Sequence, residues 1–277
     1  MKTAIIIPTY NERDNIEALA REILALRLGP STTLRPSLRP FGKAQGRPCS
    51  GQGPGRAPGG ISGQAPGNIT EIIIIDDNSP DGTGEIADEL TKVYQGIKVI
   101  HRPAKLGLGT AYITGFKEAL ALEADHIVTM DADFSHHPRY IPDMVRKSQV
   151  AQLVIGSRYV DGGGTVHWGL RRQILSRVAN TFARLVLGLK AHDCTAGFRC
   201  YRREVLESIE LDEIFSDGYS FLIEMLYKCQ QEGWEIGEVP IIFEDRRRGA
   251  SKVSQREIFK ALYIVLCLGW QRIFSQG

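Results

Sequence analysis

The sequence predicts an α/β fold in which helices flank a mostly parallel central sheet. Short apolar runs alternate with segments of helical periodicity, and the run at 72–75 is apolar throughout. A continuous apolar run is typical of a strand buried on both faces, as in parallel sheets. Strands that alternate with helices favour a parallel sheet covered by those helices.

The elements follow one another in a regular order. Strands are predicted at 3–7, 72–76, 97–100, 127–130 and 153–156, and helices at 11–26, 81–94, 110–122 and 138–147. Helical spacing predicts that the first helix buries one face, formed by Ile16, Leu19, Ala20, Ile23 and Leu24. In the second helix the same spacing predicts that Ile86, Leu90 and Val93 face inward.

Composition excludes several classes of protein. The 277 residues carry 34 basic and 32 acidic side chains, a net charge of +2, so a strongly basic nucleic-acid-binding protein is not indicated. The five cysteines form no CxxC pair, which argues against a zinc ribbon or a disulfide framework and favours reduced, cytoplasmic thiols. No apolar run reaches the roughly 18 residues of a membrane span.

One segment differs in composition from the rest of the chain. Residues 28–68 contain 10 glycines, 7 prolines and five basic residues but no acidic residue. Such a stretch buries too little apolar area to offset the entropy lost on ordering. We therefore expect a disordered basic insertion, and we expect its deletion to leave activity largely intact.

Polar residues follow the predicted strands, where the carboxyl ends of parallel strands bind ligands. Each cluster alone is also typical of a turn or a helix cap. The four clusters together predict a site, and they are Pro8-Thr9-Tyr10-Asn11-Glu12, Asp76 to Thr83, Lys105 to Gly109, and Asp131-Ala132-Asp133.

The stretch "DADFSHHP" at 131–138 is compatible with several kinds of site. Asp131 and Asp133 at a turning strand end can converge on one hard cation such as Mg²⁺ or Mn²⁺. The pattern also resembles the DxDx(T/S) motif of haloacid-dehalogenase-like phosphotransferases, but those enzymes carry it after the first strand. His136 and His137 lack further ligands at zinc spacing.

The glycines of "KLGLGTAY" do not form a dinucleotide fingerprint. Tyr112 occupies the position of the third glycine, and the segment follows the third strand, not the first. A tight turn that brings Lys105 near a phosphate is the better interpretation.

Taken together, the motifs resemble those of inverting family-2 glycosyltransferases and, more narrowly, of the polyprenol (dolichol) phosphate mannose synthases. The resemblance spans residues 3 to about 262 outside the insertion, and it is carried by "IIPTYNE", "IIIIDDNSPDGT", "KLGLGTA", "DADFSHHP", "GSRYVDGG", "GFRCYRREVL" and "RRRGASK". It implies a single GT-A (Rossmann-like) domain with a nucleotide half, 1–135, and an acceptor half, 136–277.

The resemblance implies transfer of mannose from GDP-mannose to a polyprenyl or dolichyl monophosphate, with a β-linked product for glycan or glycoprotein assembly. It also implies roles for individual residues. Asp131, Asp133 and, less typically, Ser135 would hold Mg²⁺ or Mn²⁺. The donor would contact Pro8, Tyr10, Glu12, Ile75, Asp77, Lys105, Asp131, Ala132, Arg158, Arg246 and Lys252.

The acceptor phosphate would contact Arg158, Arg172 and Ser176, and the catalytic set would comprise Asp131, Asp133, Arg158, Arg246 and Lys252. Arg172 and Ser176 are four residues apart and therefore share one helix face. A lipid monophosphate is mostly dianionic at pH 7, since its second pKa is about 6, so it needs no strong base. It does need cations that hold two repelling phosphates in line, which arginines do well.

Two segments are candidates for contact with a membrane. Residues 162–192 contain five basic residues, no acidic residue and an apolar stripe, as in a helix lying on an anionic membrane surface. The stripe comprises Ile174, Leu175, Val178, Phe182, Leu185 and Val186. The segment 257–274 is a second candidate, and both helices could instead pack on the domain. We expect a peripheral enzyme on the cytoplasmic face.

Other hypotheses remain open at this point. The same fold could take UDP-glucose or another sugar nucleotide, because Tyr10 and Asp77 do not distinguish guanine from uracil by residue type. An aspartate-nucleophile phosphatase would lose all activity on Asp131→Asn. A non-catalytic nucleotide- or lipid-phosphate-binding protein would bind without turnover.

Overall fold

The computed structural model describes residues 1–27, 69–245 and 255–274. The expected insertion at 28–68 and the predicted site residues Arg246 and Lys252 lie outside these ranges. The strands are β1 (Thr3–Thr9), β2 (Ile69–Asp76), β3 (Ile97–His101), β4 (His126–Thr129), β5 (Leu153–Ser157), β6 (Gly164–Val166), β7 (Arg199–Arg202), β8 (Ile236–Pro240) and β9 (Ile242–Glu244).

The helices cover both faces of the main sheet. They are α1 (Ile16–Arg27), α2 (Thr83–Val93), α3 (Leu108–Ala121), α4 (Ile141–Lys147), α5 (Leu170–Leu187), α6 (Arg203–Glu207), α7 (Tyr219–Gln231) and α8 (Gln255–Phe274). Short 3₁₀ helices span Pro138–Tyr140 and Leu211–Glu213.

The central sheet confirms the predicted α/β class. In the described chain it has the strand order β3-β2-β1-β4-β7-β5-β8, and all neighbours are parallel except β7, which is antiparallel to both β4 and β5. The carboxyl ends of β3, β2, β1 and β4 therefore lie side by side at one edge. This order places the four polar clusters next to one another, as the sequence predicts.

Two apolar layers enclose the sheet. Ile5, Ile7, Ile72 and Ile74 face the layer that contains α1, whereas Ile6, Ile73 and Ile75 face the layer that contains α3 and α7. The predicted buried face of α1 is confirmed, because its five apolar residues are all buried. Successive side chains of a strand point to opposite faces of the sheet, and helices cover both faces. Every residue of the run is therefore buried, which explains why the runs are apolar throughout.

Helix boundaries and one core assignment differ from the prediction. α1 begins at Ile16 instead of 11, because Asn11 has a left-handed backbone (φ 61°) and residues 11–15 form a turn. α2 begins at Thr83, after Asp81 has capped it through the Thr83 amide. Val93, predicted to face inward, is 52% exposed, because α2 ends there and only its earlier turns pack on the sheet.

The last helices lie side by side beyond the sheet. α8 packs against α5 and α7, with Ile264, Val265 and Leu268 buried. A Cβ added at Gly269 would lie 2.6 Å from Val186 Cγ1, so a glycine is what allows α8 to approach α5 this closely. In the described residues, no helix has the length and apolar character to cross a bilayer.

Candidate functional site

The turn after β1 is fastened to the turn after β2. The amide of Asn11 donates to Ser79 Oγ at 3.1 Å, and the amide of Glu12 donates to Thr83 Oγ1 at 2.9 Å. The Arg13 amide donates to Asp81 Oδ2 at 3.2 Å. These bonds bring two predicted donor-binding segments together and explain why the first is a turn instead of helix.

Asp76, the last residue of β2, and Asp77, which follows it, are both buried but have different hydrogen-bond partners. Asp76 accepts hydrogen bonds from Thr9 and Ser79 and so holds the turn. Asp77 pairs with Arg102, the first residue after β3. Arg102 also donates to the carbonyl of Gly107 at 2.9 Å and to Thr110 Oγ1 at 2.6 Å. The predicted donor contact Asp77 is thus fixed in place by Arg102, which sequence reasoning missed.

The glycine turn after β3 is held by a residue distant in sequence. Gly107 has φ 99°, a conformation that favours glycine, and a Cβ there would lie 2.4 Å from Asp217 Oδ2. Asp217 accepts from the Gly109 amide at 2.9 Å. Lys105 in the same turn places its Nζ 4.0 Å from the centre of the Tyr10 ring, so a cation and an aromatic face meet at this edge.

The turn after β4 contains the Asp-x-Asp pair. Asp133 is 5% exposed, and its Oδ1 accepts from the Ser135 amide at 3.0 Å. The intervening Phe134 has φ 62°, so the backbone reverses between the aspartates and the histidines. Ser135 Oγ is buried without a hydrogen-bond partner in the described chain. An unpartnered buried hydroxyl is unfavourable by itself and indicates a ligand at this position.

Both histidines shape this turn and neither is placed as a zinc ligand. The Asp131 amide donates to His136 Nδ1 at 3.0 Å, so this nitrogen is the acceptor of a main-chain hydrogen bond. His136 is buried against the Phe198 ring. His137 Nδ1 accepts from the Arg139 amide at 3.2 Å and caps the short 3₁₀ helix.

A space beside Asp131 is kept open by a glycine. The Tyr112 hydroxyl lies 3.5 Å from Asp131 Oδ1, and burial together with the negative Asp131 raises the pKa of Tyr112 well above its usual value. A Cβ at Gly197 would lie 3.3 Å from the Tyr112 hydroxyl and 3.7 Å from Asp131 Oδ1. Tyr112, where a dinucleotide fingerprint would have glycine, is therefore a neighbour of the Asp-x-Asp turn.

These donors suit a hard divalent cation that binds a second ligand. Within the described residues, no three His, Cys, Asp or Glu side chains are grouped to hold a metal. Asp131, Asp133 and the Ser135 hydroxyl offer only oxygens, and Mg²⁺ typically takes one or two carboxylates and completes its shell with phosphate and water. The residues present therefore fit a cation that arrives with a diphosphate.

Arg158 at the end of β5 is held by a buried carboxylate. Its Nε and Nη2 donate to Asp193 at 2.7 and 2.6 Å, and Nη2 also donates to Thr195 Oγ1 at 2.8 Å. Burial opposes the charge on each partner. The pair nevertheless raises the pKa of Arg158 and lowers the pKa of Asp193, because each charge stabilises the other. Sequence reasoning found Arg158 but missed Asp193.

An aromatic wall connects the Asp-x-Asp turn with the predicted acceptor residues. Phe243 packs edge-on against His136 and Trp168, at 5.6 and 5.3 Å between ring centres. Arg158 lies 5.4 Å and Arg172 4.0 Å from the Trp168 ring. The two predicted acceptor arginines therefore flank one tryptophan, on the same wall that supports His136.

Arg172 and Ser176, the other predicted acceptor residues, form hydrogen bonds within the protein. Arg172 Nη1 donates to Asp245 at 2.7 Å, and Tyr159 donates to Ser176 Oγ at 2.7 Å. A phosphate at this position would share or replace these bonds. The ion pair with Asp245 links α5 to the strand β9 that leads to the predicted Arg246.

The remaining predicted site residues are distributed unevenly. Pro8 and Glu12 lie at the edge of the β1 turn and are half-buried. Ile75 and Ala132 are buried in the core, so a contact with the donor would have to come from their backbone. The partners that the sequence reasoning missed are Arg102, Tyr112, Asp193, Gly197, Asp217 and Asp245. Of these, only Arg102 could have been predicted from the sequence, because it directly follows a strand, where ligand-binding residues are expected.

Comparisons with known proteins identify the family of this chain. The model of the family "Glycosyl transferase family 2" matches residues 61–210. The polyprenol monophosphomannose synthase of Mycolicibacterium smegmatis is 38% identical over 266 residues, which cover 95% of this chain and 85% of that protein. The undecaprenyl-phosphate mannosyltransferase of Micrococcus luteus is 43% identical over 185 residues, which cover 67% and 76%.

The fold is also shared with a solved structure. Glucosyl-3-phosphoglycerate synthase from Mycobacterium tuberculosis, in complex with Mn²⁺, UDP and glucosyl-3-phosphoglycerate, matches with a TM-score of 0.57 and 19% identity. The match covers 96% of this chain and 79% of that one. It supports the GT-A fold, and the family model and the two relatives show that this chain belongs to glycosyltransferase family 2.

Proposed function

We propose that the protein transfers mannose from GDP-mannose to a polyprenyl monophosphate, with inversion, and gives a β-linked polyprenyl-phosphate mannose. The proposal rests on the names of two relatives that are 38% and 43% identical. The observation that carries it is the aromatic wall, because it connects the Asp-x-Asp turn to Arg158 and Arg172. One end suits a diphosphate and the other a second phosphate.

The donor is proposed to lie along the edge formed by β3, β2, β1 and β4. Lys105 and Tyr10 would contact the nucleotide, and the diphosphate would lie at the turn after β4. Asp131, Asp133 and Ser135 would hold Mg²⁺ or Mn²⁺, which would neutralise charge on the departing diphosphate. Arg246 and Lys252, outside the described residues, remain proposed as further phosphate contacts.

The acceptor is proposed to lie between Arg158 and Arg172. Its phosphate oxygen forms a new bond to the anomeric carbon while the bond from that carbon to the GDP oxygen breaks, so the acceptor loses negative charge and GDP gains it. A dianionic phosphate attacks without a protein base. The protein therefore contributes mainly position and positive charge.

Membrane association is proposed because the acceptor is a lipid. α5 exposes Leu170, Ile174, Leu175, Val178 and Leu185, and α8 exposes Leu262, Tyr263, Leu266 and Trp270. The two helices pack against each other, and each exposes an apolar set of side chains. A peripheral position on the cytoplasmic face fits these faces and the cysteine pattern.

A thermal-shift comparison tests the donor part of the proposal without any lipid. GDP with Mn²⁺ should raise the melting temperature more than UDP with Mn²⁺, and chelation of the metal should abolish most of the shift. A larger shift with UDP would favour another sugar nucleotide on the same fold. Label transfer from GDP-mannose to a polyprenyl phosphate then tests catalysis.

A further inference from the structure

A basic cleft lies on the flank of α5 away from Arg172. Its volume is about 430 Å³. The α5 side chains in its wall are Arg177, Asn180, Thr181 and Arg184, and the opposite wall is formed by residues 158–163 and His192. Arg177, Thr181 and Arg184 follow the i, i+4, i+7 spacing of one helix face. None of the cleft's α5 residues belongs to the acceptor set proposed above.

The cleft carries unmatched positive charge. Among its basic residues, Arg158 is paired with Asp193, and His192 contacts Glu238 at 2.8 Å. Arg177 and Arg184 have no ion-pair partner in the described part of the chain. Asp161 is the acidic residue of the lining, so two unpaired guanidinium groups face one carboxylate. Arginines therefore outnumber carboxylates among the residues that line the cleft.

Arg184 supplies a second observation that indicates a ligand. Its Nε is buried and has no hydrogen-bond partner within the described residues. A buried donor without a partner costs about 1–3 kcal/mol. The neighbouring Asn180 does not accept from this Nε. Its Oδ1 accepts from the Cys194 amide, and its Nδ2 donates to the Ser176 carbonyl and to Thr195 Oγ1. Arg184 lines the cleft, so an anion bound there would bring acceptor oxygens to its guanidinium group.

The surroundings of the cleft point to a lipid as the source of that anion. Ile174, Val178 and Leu185 on α5 are 54%, 59% and 76% exposed, and helical spacing places them beside the face that carries Arg177 and Arg184. A free phosphate gains nothing from an apolar row. A phospholipid places its phosphate and its acyl chains on adjoining surfaces in this way.

We propose that the cleft binds the phosphate group of an anionic phospholipid, with Arg177 and Arg184 as its cationic contacts. Its acyl chains would lie along the exposed apolar row of α5. The site would hold α5 at the membrane surface while leaving Arg172 and Ser176 to the acceptor, and it borders the proposed acceptor site at Arg158, which lines the cleft. This binding does not depend on the proposed mannosyl transfer, and it is measured without donor or acceptor.

The test is binding of a soluble short-chain phosphatidylglycerol, below its micelle concentration, to the full-length protein by isothermal titration. We expect saturable binding of one lipid per chain and a loss of about tenfold in affinity in the double variant Arg177→Gln/Arg184→Gln. The matched control, Arg171→Gln/Lys190→Gln, removes the same charge from α5 and its flank outside the cleft and should bind as the wild type does.

A second variant guards against a folding defect. Thr181 is exposed on the cleft wall, so Thr181→Glu should leave the unfolding midpoint unchanged while its carboxylate repels the lipid phosphate. The shift in melting temperature produced by GDP and Mn²⁺ should be the same in all variants, which separates this site from the nucleotide site.

Three results would overturn the proposal. Inorganic phosphate that binds as tightly as the short-chain lipid would make the cleft a free-phosphate site. An equal loss of affinity in the control variant would show diffuse attraction without a site. Displacement of the lipid by geranyl phosphate, with no preference for the phospholipid, would assign the cleft to the acceptor.

Discussion

At the scale of single residues, three arginines of the candidate site are paired with aspartates before any ligand binds. Asp77 holds Arg102, Asp193 holds Arg158, and Asp245 holds Arg172. Such pairs fix the direction of each guanidinium and so reduce the reorganisation needed when phosphates arrive. The same pairs explain why the sequence analysis named only one member of each pair. Asp193 is 35 positions from Arg158, and Asp245 is 73 positions from Arg172.

Asp193→Asn should destabilise the fold and impair use of the acceptor. Asp193 is fully buried, and removal of one partner of a buried pair costs about 3–5 kcal/mol. The midpoint of urea unfolding measures the loss, and the KM for the lipid should rise more than the KM for GDP-mannose. Asp143→Asn breaks the exposed pair with Arg146 and should change stability by less than about 1 kcal/mol. Equal effects of the two variants would show that the buried pair has no special role.

The pH dependence of this pair follows from the lowered pKa of Asp193. A carboxylate whose pKa is lower in the folded state than in the unfolded state stabilises the fold above the unfolded value, here 3.8, and loses that contribution as pH falls through the folded value. The stability difference between wild type and Asp193→Asn should therefore be constant near neutral pH and shrink below about pH 4. Urea unfolding at several pH values measures it. A difference that grows on acidification would contradict the assignment.

Asp133→Asn should reduce turnover by about 100-fold or more. The variant weakens binding of the proposed divalent cation, whose positive charge would neutralise the departing diphosphate. The thermal shift caused by GDP with Mn²⁺ should fall as well, whereas the shift caused by GDP alone should change little. Asp143→Asn, an exposed carboxylate on α4, is the control with the same chemical change. Wild-type turnover and metal response in Asp133→Asn would remove this residue from the site.

At the scale of elements, periodicity predicted which segments form strands and helices. It did not predict the exact ends of α1 and α2, which depend on hydrogen bonds made by the preceding turns. The start of α1 depends on Asn11, whose left-handed backbone and bond to Ser79 belong to the site. The stripe predicted on α5 is divided by tertiary packing. Phe182 and Val186 are half-buried against the core, whereas Ile174, Val178 and Leu185 stay exposed. The sequence could not separate these two groups, because both have helical spacing.

Replacement of exposed apolar residues on α5 should weaken membrane binding without loss of stability. The double variant Ile174→Ser/Val178→Ser removes two side chains that are more than half exposed. We expect about a tenfold loss of binding to vesicles, given the transfer free energy of partly buried aliphatic groups. Val93→Ser on α2, at a valine that is 52% exposed, is the control. Vesicle co-sedimentation measures the binding of both variants. Equal binding of Ile174→Ser/Val178→Ser and wild type would show that these α5 side chains do not contribute to membrane binding.

At the scale of the whole molecule, strands β1 to β5 of the main sheet were predicted, whereas the antiparallel strand β7 and the parallel edge strand β8 were not. β7 has the sequence RCYR, and its Arg199 is fully buried. No apolar run indicates a central strand there. Arg199 is accommodated because its guanidinium donates to the carbonyls of Ala196 and Cys194, at 2.8 and 2.9 Å. These carbonyls are brought to Arg199 by the tertiary fold. The local hydrophobic pattern therefore could not predict a buried strand at this position.

The segment 28–68 gives a prediction for the whole chain that rests on its composition. Its replacement by a short Gly/Ser linker should leave the melting temperature and the GDP response nearly unchanged, because a Gly/Pro-rich stretch has little apolar area to bury. Differential scanning fluorimetry and the transfer assay measure the outcome. Loss of folding or turnover in the shortened protein would show that the segment has a structural or catalytic role.

The central claim is mannosyl transfer to a lipid phosphate. It is tested most directly by incubating the purified protein with Mn²⁺, a polyprenyl monophosphate and labelled GDP-mannose or UDP-glucose, and analysing the lipid product. We predict a mannosylated lipid phosphate with a β linkage, formed from GDP-mannose, and its loss in Asp133→Asn. Absence of transfer from every sugar nucleotide to any polyprenyl phosphate would contradict the account, as would glucose transfer alone.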